Sequence, residues 1–293
     1  MKSAAFEYAR PATIPDACRL LAEAGGDAQV LAGGQSLMPL LAARLARPAL
    51  LVDINHIAEL QCISLADGTL RIGGCTRQRA VERASETAAA CPLLLKALRH
   101  VGHVQTRNRG TVGGSLCQAD PAAEIPHIAI VLGAEVTLTS PHGERRMPAD
   151  DFILGAMDTA IEPDECLTAV SFPVWDEPRL GSAFHEVAMR HGDFALLSAS
   201  VQVALDADGR CRRIVLGLGN VGSRPQRFDA AATLLSGTGL EADAIEAAMA
   251  EVDGAIDPQS DTQATAAYRR RVAPRLLRRA ITEAAAEARG GLA

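Results

Sequence analysis

The stretch "NRGTVGGSLCQADPAAEIP", residues 108–126, places two adjacent glycines after a β-branched pair and then runs through acidic residues into a proline. Glycine has no Cβ and adopts positive φ easily, so a doubled glycine lets backbone N–H groups approach an anion closely. A similar pair, Gly33-Gly34, follows the strand-like run in "VLAGGQS". Two such loops could hold a diphosphate from both sides.

Either glycine pair taken alone has a simpler explanation, which is a tight turn after a strand. Two further pairs, Gly25-Gly26 and Gly73-Gly74, show that the pattern is common in this chain. Neither of the two loops matches the phosphate-binding sequence G-x-x-x-x-G-K-[ST] or the dinucleotide sequence G-x-G-x-x-G. The sequence therefore gives no support to a P-loop kinase or a Rossmann dehydrogenase.

Polar residues beside these two glycine pairs favour a binding role over a plain turn. Gln35 and Ser36 follow the first pair, and Ser36 is placed to cap a helix that starts near Leu37. The N–H groups at such a helix start attract an anion. Thr111 and Ser115 flank the second pair. We therefore predict that both loops contact one anionic ligand.

Glu124, near the end of the stretch, has two interpretations. It comes just before Pro126, which suits the first turn of a helix, so its carboxylate could stabilise the positive end of that helix. Alternatively, it accepts hydrogen bonds from the hydroxyl groups of a ribose, as acidic residues do in many nucleotide sites. The sequence leaves both open, whereas Asp120 before Pro121 is explained by a turn.

The length of the chain, 293 residues, indicates two domains. Its 29 basic and 35 acidic side chains give a net charge of −6, which argues against general nucleic-acid binding. The first residues lack the apolar run of a signal peptide, and no segment of about 18 apolar residues could span a bilayer. We expect a cytoplasmic protein with neither a nucleic-acid partner nor a membrane span.

Seven cysteines are scattered along the chain without any C-x-x-C pair. In a cytosolic protein this pattern is typical of buried thiols rather than of zinc or iron–sulfur ligands. His100 and His103 are three residues apart, and we interpret them as helix-face or core residues rather than metal ligands. We therefore predict no metal site in this chain.

Hydrophobic periodicity predicts alternating helices and strands at the start of the chain. A hairpin is predicted at residues 60–74, with Asp67-Gly68 as its turn. Before this hairpin the pattern gives, in order, a helix in residues 12–28, a strand at 28–34, a helix at 36–46 and a strand at 49–54.

The rest of the chain divides near residues 173–181, where two prolines and a charge cluster indicate a domain boundary. Before it we predict one alanine-rich helix from about Ala80 to Val101, a short helix from Pro126 and a hairpin around residues 141–143. Beyond it the pattern predicts a small antiparallel sheet followed by helices. We interpret the arginine cluster at residues 270–279 as a solvated helix face rather than a phosphate site.

Several stretches carry a family resemblance, which extends over nearly the whole chain. The two glycine motifs lie in "LAGGQSLMPLL", residues 31–41, and "GHVQTRNRGTVGGSLCQADPAAEIP", residues 102–126. Together with "FEYARPATIPDACRLLAE", "RHGDFALLSAS" and "GLGNVGSRPQRFDAAATLLSG", they resemble the flavoprotein (medium) subunit of molybdenum hydroxylases. That family includes bacterial carbon monoxide dehydrogenase and xanthine dehydrogenase.

The resemblance implies an α+β (mixed α/β) protein with FAD held between its parts. Residues 1–175 would form a two-subdomain FAD-binding fold of the vanillyl-alcohol-oxidase/molybdenum-hydroxylase type, with subdomains of about 1–55 and 56–175. Residues 176–293 would form a C-terminal flavoprotein domain of antiparallel sheet and helices.

The same resemblance implies the residues that bind FAD, and it implies no catalytic base in this chain. Glu124 would bind the ribose, Val101 and Gly102 would line the flavin pocket, and Leu167 would pack near the adenine. The residues implied at or beside the diphosphate are Leu31, Ala32, Gly33, Gly34, Gln35, Ser36, Thr111, Gly113, Gly114 and Ser115.

The chain also departs from the family pattern at several positions. Ser115 stands where many relatives have asparagine, and Gln35 where histidine or threonine is common, although both can still form hydrogen bonds. His185 and Glu186 lie where many relatives place a lysine near the flavin. Loss of a fixed cation should make a reduced, anionic flavin less favourable unless another positive group compensates.

The function implied by the resemblance is electron transfer. Electrons from a molybdopterin cofactor on a large partner subunit would pass through two [2Fe–2S] clusters on a small partner subunit to FAD, and then to an external acceptor such as quinone, oxygen or NAD. Relatives pair two such trimers in an (αβγ)2 heterohexamer. The alternatives are a free-standing FAD-dependent oxidoreductase and a nucleotide-binding module without a redox role.

Overall fold

The computed structural model describes residues 2–290, and its first unit is a small parallel sheet with strand order β1-β3-β2. Thr13 caps the first helix by accepting a hydrogen bond from the N–H of Asp16 at 3.2 Å, and Gly25 closes that helix with φ 57°. The predicted strand and helix order is confirmed. The elements are β1 (Glu7–Ala9), α1 (Ile14–Ala24), β2 (Ala28–Leu31), α2 (Leu37–Ala42) and β3 (Leu50–Asp53).

A second, antiparallel sheet follows, with strand order β4-β5-β10-β6-β7. Asp67 and Gly68 both have positive φ in the first hairpin, which is the conformation that a tight two-residue hairpin turn requires. Both predicted hairpins are confirmed. The strands are β4 (Ile63–Ala66), β5 (Thr69–Gly73), β6 (Glu135–Ser140), β7 (Gly143–Pro148), the short pair β8 (Ile153–Gly155) and β9 (Asp158–Thr159), and β10 (Cys166–Pro173).

The prediction of one helix from about Ala80 to Val101 is wrong, because three short helices occupy this segment. Ala84 is extended, with φ −71° and ψ 130°, and Pro92 restarts the chain as a first-turn residue. The helix predicted to start at Pro126 begins two residues earlier, at Glu124. The helices are α3 (Gln78–Arg83), α4 (Ser85–Ala90), α5 (Pro92–Leu98), α6 (Val104–Arg109), α7 (Val112–Gln118), α8 (Glu124–Leu132) and α9 (Ala149–Phe152).

The C-terminal part is an antiparallel sheet covered by helices, as predicted. Its longest helix, α12, packs across β11 and β12. The arginines of the predicted cluster at residues 270–279 are exposed, which confirms a solvated face, although Arg269 just before it is buried. The elements are β11 (Leu180–Val187), β12 (Leu197–Leu205), β13 (Cys211–Gly219), β14 (Gln226–Arg227), α10 (Asp229–Leu235), α11 (Ala242–Ala255) and α12 (Ala266–Ala288).

Helix α8 joins the two halves, because all nine of its residues are buried and it contacts α5 and α7 on one side and β13 on the other. At its centre the ring of His127 lies between two hydroxyl groups of β12. The Nδ1 atom is 2.8 Å from Ser198 Oγ and the Nε2 atom is 2.9 Å from Ser200 Oγ. Burial lowers the pKa of His127 to about 3, so the ring is uncharged at neutral pH.

The cysteine thiols are free, and five of the seven are buried, as the scattered pattern predicted. Burial raises the pKa of Cys91 and Cys117 to about 12. Within residues 2–290, none of the helices has the length and apolar character needed to cross a membrane.

Candidate functional site

The first glycine loop connects β2 to α2 and presents bare backbone to a cavity. Gly34 has φ 71°, a conformation that favours glycine. In the described part of the chain, the N–H groups of residues 33–36 find no acceptor. A cavity of about 390 Å³ lies beside them, and it is lined by Leu31, Gly33, Gly34, Gln35, Met38, Pro39 and Arg109. The loop thus offers unpaired donors to an anion in a cavity that Arg109 also lines.

The second glycine pair does not lie in a loop after a strand, as the sequence suggested, but in the first turn of α7. Gly113 is buried and donates its N–H to the carbonyl of Gly74 at 2.9 Å, and a Cβ at position 113 would lie 2.5 Å from that oxygen. Gly114 is exposed and donates its N–H to the Thr111 hydroxyl, which caps the helix at 3.1 Å. Close backbone packing therefore explains Gly113, whereas a Cβ at position 114 would meet only the capping Thr111 hydroxyl, at 2.7 Å, and Ala32 Cβ, at 3.9 Å.

The two glycine segments are in contact, and this contact explains Gly33. A Cβ at position 33 would lie 2.5 Å from the carbonyl oxygen of Arg109 and 2.8 Å from the Cα of Gly110. Only glycine permits this approach, which brings the unpaired donors of the first loop beside the start of the second segment. We call the loop of residues 32–36 together with the first turn of α7 the cradle, and its unpaired N–H groups suit an extended diphosphate such as that of FAD.

The expected cap at Ser36 is not formed. Ser36 has helical angles, φ −94° and ψ −44°, and its side chain makes no capping hydrogen bond. A capping residue is normally extended so that its oxygen faces the next N–H groups. The exposed Ser36 hydroxyl and the exposed Gln35 amide, which contacts only the carbonyl of Gly33 at 3.4 Å, are thus available to a ligand.

The segment predicted to line the flavin pocket, Val101-Gly102, is held by an arginine that sequence reasoning missed. Arg107 donates to the carbonyl oxygens of Val101 and Gly102 at 3.0 and 3.2 Å, and its Nε is 2.9 Å from the carboxylate of Glu82. Gly102 has φ 47°, which glycine adopts without strain, and the Arg107 side chain fixes the carbonyl groups on either side of this turn. No sequence signal indicates this role, because Arg107 lies in a polar helix and its burial appears only in the structure.

Leu167, which was expected near the adenine, lies in the core. It is 4% exposed, and its backbone carbonyl packs against the Cα of Gly74, the same residue that receives Gly113. Its position next to a β-bulge in β10 places it behind the second glycine segment. We propose that Leu167 influences the adenine site through its packing against the second glycine segment.

Glu124 and Glu186 form a buried carboxyl pair between α8 and β11. Burial, followed by the charge of Glu186, raises the pKa of Glu124 to about 8, and burial raises the pKa of Glu186 to about 7. Glu124 is the first residue of α8, so the helix-start interpretation stands beside the ribose interpretation. A neutral carboxyl group can still form hydrogen bonds with a ribose.

His185 lies beside Glu186 on β11, where the family resemblance implies a lysine near the flavin. His185 faces away from Glu186, with its Nε2 2.9 Å from the carboxylate of Glu283 on α12, and burial lowers the pKa of His185 despite that partner. The raised pKa values of Glu124 and Glu186 mean that the two carboxyl groups share protons near neutral pH, so together they carry less negative charge than two ionised glutamates would.

We expect Glu186→Gln to stabilise the protein at high pH only. Both folded-state pKa values exceed the unfolded value, so the folded chain binds more protons, and stability falls as the pH rises from about 4.5 to about 8. The variant should gain about 1–2 kcal/mol at pH 8.5, after allowance for partial exposure, and nothing near pH 4.5. Denaturant unfolding across this range measures it.

The matched control for that experiment is Glu251→Gln, because Glu251 is exposed on α11. Its unfolding free energy should stay within about 0.5 kcal/mol of that of the unaltered chain at every pH, a flat difference, because substitutions of exposed residues have small effects. A Glu186→Gln difference that is equally flat would contradict the raised pKa values.

Comparison with known proteins adds a family context. Residues 4–175 match the family model described as FAD binding domain in molybdopterin dehydrogenase, and residues 182–284 match CO dehydrogenase flavoprotein C-terminal domain. The chain is 38% identical to caffeine dehydrogenase subunit beta of Pseudomonas sp., covering 97% of this chain and 96% of the relative. It is 37% identical to the carbon monoxide dehydrogenase medium chain of Afipia carboxidovorans, covering 97% and 98%.

Solved structures show the same similarity along the whole fold. A chain of the Cu,Mo-CO dehydrogenase in its cyanide-inactivated form superposes with a TM-score of 0.94 at 36% identity, covering 98% of this chain and 100% of that one. Quinoline 2-oxidoreductase from Pseudomonas putida 86 gives a TM-score of 0.92 at 35% identity, with both chains fully covered.

Proposed function

Because this chain belongs to the FAD-binding (medium) subunit family of molybdenum hydroxylases, we propose that it takes electrons from the [2Fe–2S] clusters of a partner subunit and passes them to an external acceptor. The family membership confirms the resemblance and the mixed α/β flavoprotein fold expected from the sequence. The chain is thus an FAD-binding component of an oxidoreductase. FAD supplies the chemistry of accepting single electrons and releasing one or two.

One observation carries the proposal, namely the contact between two glycine segments with unpaired donors on one side. The N–H groups of residues 33–36, together with Gln35 and Ser36, would bind the diphosphate, while Gly114 and Ser115 would border it from α7. Val101 and Gly102, held by Arg107, would support the flavin ring. Glu124 would contact the ribose as a neutral acid.

The cysteines support placing the iron–sulfur clusters on another chain. Cluster ligands are thiolates, whereas burial raises the pKa of Cys75 and Cys211 to about 11 and that of Cys91 and Cys117 to about 12. We propose a small [2Fe–2S] subunit and a large molybdopterin subunit as partners in a cytoplasmic (αβγ)2 assembly. The names of three relatives refer to caffeine, carbon monoxide and quinoline, although all three chains are about equally similar to this one. Because this similarity does not distinguish between such different substrates, we assign substrate choice to the large subunit.

The test uses the small subunit and needs no knowledge of the substrate. We expect a [2Fe–2S] subunit, reduced stoichiometrically with dithionite, to bleach the visible flavin absorbance of the FAD-loaded chain when the two are mixed. Addition of an electron acceptor should then restore the absorbance. Stopped-flow spectroscopy follows both the cluster and the flavin bands.

The matched control is the same mixture with chain from which FAD has been removed. Its clusters should stay reduced until FAD is added back. A flavin that stays oxidised beside reduced clusters would contradict the electron route, and a chain that alone reduces a dye with organic substrate would indicate a free-standing oxidoreductase. Failure to bind FAD at all would instead favour a nucleotide-binding module.

A further inference from the structure

Two hydrogen-bonded side chains, those of Asn55 and Arg77, link the first glycine loop to the second glycine segment. The Asn55 Nδ2 atom donates to the carbonyl oxygen of Ala32 at 2.8 Å. The Asn55 Oδ1 atom accepts from Arg77 Nη2 at 2.6 Å, and Arg77 Nη1 donates to the carbonyl oxygen of Arg109. Ala32 begins the first loop, and Arg109 ends α6 just before the second segment. The link therefore runs from one wall of the cradle to the other.

Asn55 is fixed in one orientation by the atoms around it. Its Nδ2 faces only acceptors, the carbonyl of Ala32 and the Asp53 carboxylate at 2.6 Å, whereas its Oδ1 faces the donor Arg77. Burial would raise the pKa of Asp53, but hydrogen bonds from Tyr8 and Asn55 outweigh this effect and lower it. Asp53 is thus a charged anchor at the end of β3, and the amide cannot flip without losing these contacts.

The Arg77 backbone is held separately from its side chain. Arg77 forms an isolated bridge with Thr111, and the next residue, Gln78, donates its N–H to the carbonyl of Gly110 at 2.9 Å. Changes to the Arg77 side chain therefore leave its backbone pairing in place. The side chain adds one specific restraint, which is the distance between the two glycine segments.

We propose that Asn55 and Arg77 are positioning residues that hold the two glycine segments at the spacing that the FAD diphosphate requires. The inference rests on the proposed placement of the diphosphate between these segments. A preformed cradle binds more tightly because the ligand does not have to order the loops. Gly33 touches Arg109 and Gly110 directly, so relaxation of either wall would move the unpaired N–H groups of residues 33–36.

Two substitutions separate positioning from simple attraction of an anion. Arg77→Lys keeps the positive charge, but a single ammonium group cannot bind both Asn55 and Arg109 in the same geometry. Asn55→Asp keeps an acceptor for Arg77 but removes the donor to Ala32 and Asp53 and places a second carboxylate beside Asp53. We expect both variants to raise the Kd for FAD, and the Kd for ADP in parallel, by about ten-fold to a hundred-fold. ADP tests the diphosphate limb without the flavin.

The matched control is Arg83→Met, which removes an exposed arginine at the far end of α3. Its FAD affinity should equal that of the unaltered chain. Circular dichroism and the unfolding temperature of the FAD-free proteins check that the variants fold. Wild-type affinity for FAD and ADP in both Arg77→Lys and Asn55→Asp would overturn the positioning role.

Comparison with Gly34→Val distinguishes this inference from the proposed site itself. If Gly34→Val loses FAD while the Asn55 and Arg77 variants keep it, the diphosphate site stands and the positioning role is wrong. If Gly34→Val also binds FAD normally, the diphosphate lies elsewhere, and both proposals fail. Weakened binding in all three variants, with Arg83→Met unaffected, is the result that we expect.

Discussion

Gly34→Val is expected to be isolated without FAD, with an affinity at least about a hundred-fold lower than that of the unaltered chain. A branched side chain at φ 71° strains the backbone by about 1–2 kcal/mol, and its Cβ would lie 3.2 Å from Met38 Cγ at the cavity wall. Displacement of the loop N–H groups removes bonds to a charged ligand, worth about 1.5–3 kcal/mol each. The FAD-to-protein ratio and fluorescence titration of the FAD-free chain measure the loss.

Gly25→Val is the matched control, because it has the same backbone strain without the ligand. Gly25 closes α1 at φ 57°, and a Cβ there meets nothing within 4 Å. This variant should lose some stability and keep its FAD.

A parallel change, Gly114→Val, would place its Cβ 2.7 Å from the Thr111 hydroxyl and should also weaken FAD binding. Full, tight FAD in both Gly34→Val and Gly114→Val would show that the site has been misplaced.

Gly181→Ala is expected to destabilise the protein by about 2–4 kcal/mol, a large effect for one methyl group. The added Cβ would collide with the carbonyl oxygen of Ala284 and lie 2.7 Å from the N atom of Ala288, both in the backbone of α12. Neither can move aside like a flexible side chain, because α12 packs along β11 and β12 together. Urea unfolding followed by circular dichroism gives the change in free energy.

Gly254→Ala makes the same chemical change where there is space. Gly254 lies near the end of α11, and a Cβ there meets nothing within 4 Å. Alanine favours a helix over glycine, so this variant should gain about 0.5–1 kcal/mol. Equal effects of the two substitutions would contradict the close packing of β11 against α12.

The sequence predicted those elements whose signals are local. Asp67-Gly68 marks a turn by its own conformational preference, and Pro15 with Thr13 marks the start of α1. The prediction of one helix between Ala80 and Val101 was wrong, because alanine favours helix at every position and the breaks between the three helices leave little trace in the pattern. Pro92 was a signal for a new helix start, since proline tolerates the first turn but not the interior.

Of the candidate site, the sequence predicted the glycine motifs but not the side chains that support them. Glycine motifs are contiguous, whereas Asn55 and Arg77 are 22 residues apart and meet only because β3 and the start of α3 are folded beside each other. The buried pair of Glu124 and Glu186 likewise depends on contact between α8 and β11. No local pattern reports that a charged side chain will be surrounded by another part of the chain, and so its protonation state could not be predicted.

The burial of α8 on all sides has a consequence for how the molecule comes apart. Most apolar residues of α8 belong to the core of the first half, whereas its His127 contacts β12, so separation of the two halves would leave Ser198 and Ser200 without the ring of His127. Unfolding of the C-terminal sheet therefore also removes support from the cradle built on α7. We therefore expect the two halves to unfold in one calorimetric transition, and two separate transitions would contradict this coupling.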